Sequence, residues 1–103
     1  MITSLADRRS EIAVVCRRFH VSRLDVFGSA ARGVDFDPER SDADFVVEFE
    51  AEHAPPALAD FLGLREALEG VVGRRVDLTM AAGVRNPYVR AEIERTREPV
   101  YGA

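Results

Sequence analysis

Three aspartates and one glycine-serine pair are the residues of this sequence whose types and spacing suit chemistry. Asp42 and Asp44 stand two apart in S-D-A-D-F, and on an extended strand such residues project from one face, about 6 to 7 Å from each other. Asp77, in R-V-D-L-T, takes a polar position in a second alternating segment. If the two strands are neighbours, three carboxylates converge, and like charges at short range repel unless a cation sits among them. A hard divalent ion such as magnesium resolves this, because it prefers oxygen ligands and keeps water or substrate phosphate in its remaining positions. Two such ions about 3.5 to 4 Å apart clamp the attacking and leaving oxygens of an in-line phosphoryl displacement. Gly28-Ser29 follows an apolar run. A glycine there lets the backbone approach a phosphate, and the amides opening a following helix offer an anion site. Ser29 adds a hydroxyl, and Arg32, one turn on, can reach the same phosphates. Taken singly, each piece has a plainer meaning: D-x-D as solvated surface, Gly-Ser as a turn, Asp77 as an exposed strand position, Arg32 as a surface arginine. The joint pattern is what points to chemistry.

These residues need elements to hold them. From Ser4 to His20 the apolar residues Ile12, Val15, Cys16 and Phe19 recur at helical spacing, with charged residues between, which predicts an amphipathic first helix with Cys16 as a buried thiol. Arg23 to Phe27 reads as a short strand stopped by Gly28, and Ala30-Ala31-Arg32 as a short helix with Ser29 near its N-cap. Residues 33 to 41, with Gly, Pro and four charges, form a surface loop. Residues 43 to 50 follow as a strand, with Ala43, Phe45, Val47 and Phe49 on one face and Asp42, Asp44, Val46, Glu48 and Glu50 on the other. Pro55-Pro56 breaks the chain, and Leu58 to Leu68 is a helix closed by Gly70 and Gly73. A third strand runs from Arg75 to Met80. Asn86-Pro87 opens a last helix that reaches about Thr96. The order is α-β-α-β-α-β-α, an α/β arrangement in which helices back a small sheet of three or so strands.

Composition bounds what this sheet can serve. At 103 residues the chain reads as one domain, 1–103, with no room for a second, acceptor-binding lobe. Hydrophobic residues at 47% and charged residues at 31% fit a folded soluble protein. No apolar run is long enough for a membrane span or a signal peptide, so a cytoplasmic setting is expected. The single cysteine excludes an internal disulfide, and with His20 and His53 the only histidines, the residues for a zinc site are expected to be missing, so that any metal would be held by oxygen ligands. All 14 basic residues are arginine, which excludes a P-loop lysine and Schiff-base chemistry. A net charge of -4 argues against a long nucleic-acid substrate, whose phosphates call for basic excess.

Residues 27 to 50, FGSAARGVDFDPERSDADFVVEFE, closely resemble the signature of the nucleotidyltransferase fold of the DNA polymerase beta superfamily: G-S, a spacer, then D-x-D. The spacer, residues 30 to 41, is somewhat longer than the usual one, with the extra length in the surface loop, where insertions are tolerated. The small size, RRVDLT at 74 to 79 and VRNPYVRAEIERTREPVYG at 84 to 102 are similar to the minimal nucleotidyltransferase (MNT) antitoxins that pair with HEPN-domain toxins. The resemblance implies a nucleotidyltransferase fold with a small mixed sheet of three to four strands. It also implies a triphosphate-binding pair, Gly28 and Ser29, and a two-magnesium site on Asp42 and Asp44 with Asp77 as third acid. The activity implied is transfer of AMP from ATP to a tyrosine of the HEPN partner, and the oligomeric state, homo- or hetero-oligomer, is left open. Two rivals stand beside it: a small-molecule, antibiotic-type nucleotidyltransferase, and a non-catalytic antitoxin that neutralises its partner by occlusion.

Overall fold

In the computed structural model, which describes residues 3–28 and 43–102, helix α1 (Thr3–Ala6) and helix α2 (Arg9–Arg18) lead into strand β1 (Val21–Phe27). Strand β2 (Ala43–Phe49), helix α3 (Leu58–Val72) and strand β3 (Val76–Met80) come next, then helix α4 (Pro87–Thr96) and strand β4 (Glu98–Tyr101). The expected helix after Gly28 and the loop 33–41 lie outside the described residues, as do Ser29, Arg32 and Asp42.

The strands form one sheet in the order β3-β2-β1-β4. β1 is antiparallel to both neighbours, whereas β2 and β3 run parallel, joined by the crossover that contains α3. The sheet is therefore mixed, as the resemblance implied. One face packs Leu24, Val26, Phe45, Val47 and Leu78 against Ile12 and Cys16 of α2 and Leu64 and Leu68 of α3. On the other, Phe27 and Val46 meet Val84 and Ile93, the latter from α4. The outward side of β2 is thus less acidic than its sequence suggests: Val46 is buried beneath α4, and only the two ends of that side hold acids. Among the described residues, no helix is long and apolar enough to cross a membrane.

The first helix is two. The Arg8 amide bonds the Leu5 carbonyl three residues back at 3.1 Å, a tight turn that interrupts the helix at Asp7-Arg8. α3 continues through Gly70 and ends at Gly73, whose φ of 73° is the left-handed conformation of a helix stop and whose amide bonds the Glu69 carbonyl. α4 starts as expected: the Asn86 side chain accepts from the Tyr88 and Val89 amides, and Pro87 takes the first turn. β4 supplies the fourth strand that the resemblance allowed, in a segment whose residues did not read as a strand. Its four residues contain Pro99, which argues against a strand, but β4 is an edge strand, where a missing N–H can face away from the ladder.

Candidate active site

β2 and β3 are neighbours, and the register of the pair sets Asp44 directly opposite Asp77. In a parallel ladder, residues in register point from the same face, and adjacent strands lie about 4.8 Å apart. The two carboxylates therefore share one small area of surface, with Asp44 half-buried and Asp77 exposed. On its other side Asp44 is in register with Phe27, so the turn at Gly28 begins beside it.

Gly28 has a φ of +69°, and a Cβ built on it would lie 3.1 Å from Asp44 Oδ2. Only a residue without a side chain lets the chain turn this close to the carboxylate. The Gly28 amide points elsewhere: it donates to Thr96 Oγ1 at 2.8 Å, and that hydroxyl donates in turn to the Glu92 carbonyl at 2.7 Å. The end of α4 thus holds the turn that borders Asp44, and any phosphate-binding amides must come from residues after Gly28.

The end of α4 is itself pinned. Asp25, fully buried in the central strand, accepts from Arg97 Nε at 2.5 Å and pairs with Arg23 Nη2 at 2.8 Å. The bond to Asp25 pushes the Arg23 guanidinium further above its already high range, against the opposing effect of partial burial. A buried carboxylate flanked by two guanidiniums has the pairing that burial of a charge requires. Arg97 follows Thr96 directly, so the Asp25 ion pairs fix the residue beside the one that holds Gly28. Sequence reasoning missed both. A charged residue amid the apolar R-L-D-V-F run was the signal for Asp25; Thr96, one hydroxyl near a helix end, gave none. Cys16 needs no chemistry: burial pushes its thiol up to about 12, which keeps it protonated and inert at neutral pH.

The donors that the register brings together here are carboxylate oxygens, and such donors fit a hard divalent ion. Two acids side by side beneath a sharp glycine turn suit the handling of a phosphate chain through cations.

Residues 10–100 match the nucleotidyltransferase domain family. This chain belongs to that family. Protein adenylyltransferase MntA of Thermococcus cleftensis is 39% identical over 84 residues, which are 82% of this chain and 77% of that protein. A solved structure described provisionally as a minimal nucleotidyltransferase superposes with a TM-score of 0.75 at 37% identity and covers 96% of both chains. An MNT antitoxin in complex with a tri-AMPylated HEPN toxin from Shewanella oneidensis shares the fold, with a TM-score of 0.67 at 15% identity over 96% of this chain and 73% of that one. Within the family this chain falls with the minimal nucleotidyltransferases, as its small size and the segments 74 to 79 and 84 to 102 implied.

Proposed function

We propose that this chain transfers AMP from ATP to a tyrosine of a partner HEPN-domain toxin and so acts as its antitoxin. The observation that carries the proposal is the Asp44 and Asp77 pair, in register on adjacent parallel strands beside the Gly28 turn. Support for donor and partner comes from likeness: the Thermococcus relative is named a protein adenylyltransferase, and the Shewanella antitoxin is in complex with an AMPylated toxin. In this reading Asp42, Asp44 and Asp77 would hold two magnesium ions, and Gly28, Ser29 and Arg32 would border the triphosphate. Ions bound there would neutralise the phosphates and stabilise charge on the attacking and leaving oxygens.

The chain's own residues set the geometry. Asp44, on β2 between β1 and β3, would be the anchoring ligand for such ions. Asp77, the more exposed of the two, stands where an acceptor approaches and can take the phenolic proton. The tyrosine oxygen then bonds to the α-phosphorus as the bond to the bridging oxygen breaks and pyrophosphate leaves on the opposite side, which requires an approach of about 3 to 3.5 Å. The chain would act in the cytoplasm as a single catalytic domain whose acceptor arrives on another protein.

Co-expression with the neighbouring-gene protein, followed by intact-mass analysis, tests this. A gain of one or more AMP units is expected, absent with Asp77→Asn or Asp44→Asn. A partner that stays unmodified yet is neutralised would favour occlusion instead.

A further inference from the structure

The geometry points to a second metal site, formed by His20, Glu50 and His53, that takes a borderline transition cation such as zinc or nickel at the end of the sheet away from Asp44 and Asp77. The two histidines are 33 positions apart (53 less 20), a spacing that no local motif reveals. The fold brings them together. His20 turns the chain from α2 into β1 with a φ of 63°, and its carbonyl accepts from the Glu50 amide at 2.9 Å. After β2 the short 3-10 turn Ala51–His53 follows, held by the His53 amide on the Glu50 carbonyl at 2.8 Å. Three side chains therefore issue from one hydrogen-bonded knot. Their ligand atoms all lie within 4.8 Å of one another, and the two imidazole rings are stacked with centroids 3.7 Å apart and planes 3° from parallel.

Two ring nitrogens and one carboxylate oxygen are a donor set for zinc, nickel or copper, and not one that magnesium or calcium favours. Metal–nitrogen bonds of about 2.0 to 2.1 Å place tetrahedral ligand atoms about 3.3 Å apart. The three groups must therefore close in by about 1.5 Å at most, and the parallel rings must turn so that their lone pairs converge. All three residues are exposed, so rotation about their side-chain bonds meets little obstruction. A fourth position would be left to water. Glu50 lies six positions beyond Asp44 along extended chain, about 20 Å, so this ion would take no part in the reaction. Its effect would be structural: it would tie the start of β1 to the turn after β2 and stabilise the folded chain by mass action.

The test is zinc titration of the untagged chain in excess magnesium, read by native mass spectrometry and by thermal melting. One zinc per chain is expected at about 100 µM zinc, with a rise in melting temperature. His53→Gln and His20→Asn should each weaken binding at least about tenfold and abolish the rise; asparagine is used at position 20 because it tolerates the left-handed backbone. Asp77→Asn should bind zinc as the parent does. Circular dichroism confirms that each variant is folded. If the parent binds no zinc under these conditions, or if folded His53→Gln binds it equally well, the site is refuted.

Discussion

Gly28→Ala separates backbone strain from damage to the acid pair, because Gly73 supplies a matched control. The two glycines have nearly the same backbone, φ +69° and +73°, so alanine at either pays the same left-handed penalty of about 1 to 2 kcal/mol. For a domain of this size that lowers the melting temperature by roughly 5 to 15 °C and leaves both variants folded at room temperature. Their surroundings differ. A Cβ at Gly73 meets nothing within 4 Å, whereas at Gly28 it lies 3.1 Å from Asp44 Oδ2, inside the 3.4 Å at which ordinary contact begins. The carboxylate must then shift by at least 0.3 Å, the difference of those two distances, or the turn must open. Since a misplacement of 1 Å can lower a rate about 100-fold, a shift of a few tenths should lower transfer roughly 3- to 10-fold. The assay is AMP incorporation from labelled ATP into the partner at 25 °C, beside urea unfolding of both variants. Gly73→Ala should match the parent in transfer and match Gly28→Ala in stability loss. Equal transfer by the two variants would refute the reasoning, since the contact with Asp44 would then have no consequence.

Three further outcomes are expected. Thr96→Val leaves the buried Gly28 amide without its acceptor, which should lower stability by about 1 to 3 kcal/mol in urea unfolding and also reduce AMP transfer; unchanged transfer would mean that the bond does not position the turn. Asp25→Asn removes the charge shared by Arg23 and Arg97 and should lower stability by about 3 to 5 kcal/mol in urea unfolding, whereas loss of a surface pair such as Arg8 with Glu11 should change it by less than about 1 kcal/mol. Cys16 favours its protonated form in the fold, so its contribution to stability is complete below its ordinary value of 9.0 and is lost as pH rises from there to about 12. Maleimide labelling at pH 7 should accordingly be slow in the native chain and fast in urea; rapid native labelling would contradict the burial.

The sequence showed most plainly what depends on local periodicity. Ile12 and Cys16, Leu64 and Leu68, and the Asn86-Pro87 helix start are legible because a helix buries one stripe and begins with a cap. The V-D-L alternation placed Asp77 on an outward face for the same kind of reason. What stayed hidden depends on partners distant in the chain. Thr96 matters only because it meets Gly28, 68 positions away, and Arg97 because it meets Asp25, 72 positions away. β4 was obscured by Pro99, whose penalty depends on whether a strand is central or at an edge, and only the assembled sheet decides that. Val46 looked like a stray apolar residue on an acidic face until α4 was seen to cover it.

The acid pair itself is positioned by residues with no chemistry. Asp77 lies between Val76 and Leu78, which are 5% and 8% exposed, and Asp44 between Ala43 and Phe45, both fully buried. In a strand the side chains alternate, so moving β3 by one residue would turn Asp77 into the core and Val76 and Leu78 outward. Exposing those two alone would lose about 3 to 6 kcal/mol of apolar burial, comparable with the whole stability of a small domain. Hydrogen bonds secure the same register: the Ala43 amide donates to the Arg75 carbonyl at 3.0 Å, and Glu69 of α3 accepts from the Val76 amide at 3.0 Å. The parallel direction matters as well, because it starts both strands at the same edge and so puts both acids near the strand beginnings, next to the turn where β1 ends. Burial of the flanking core residues is therefore what brings Asp44 and Asp77 together, against the repulsion that their charges would otherwise exert.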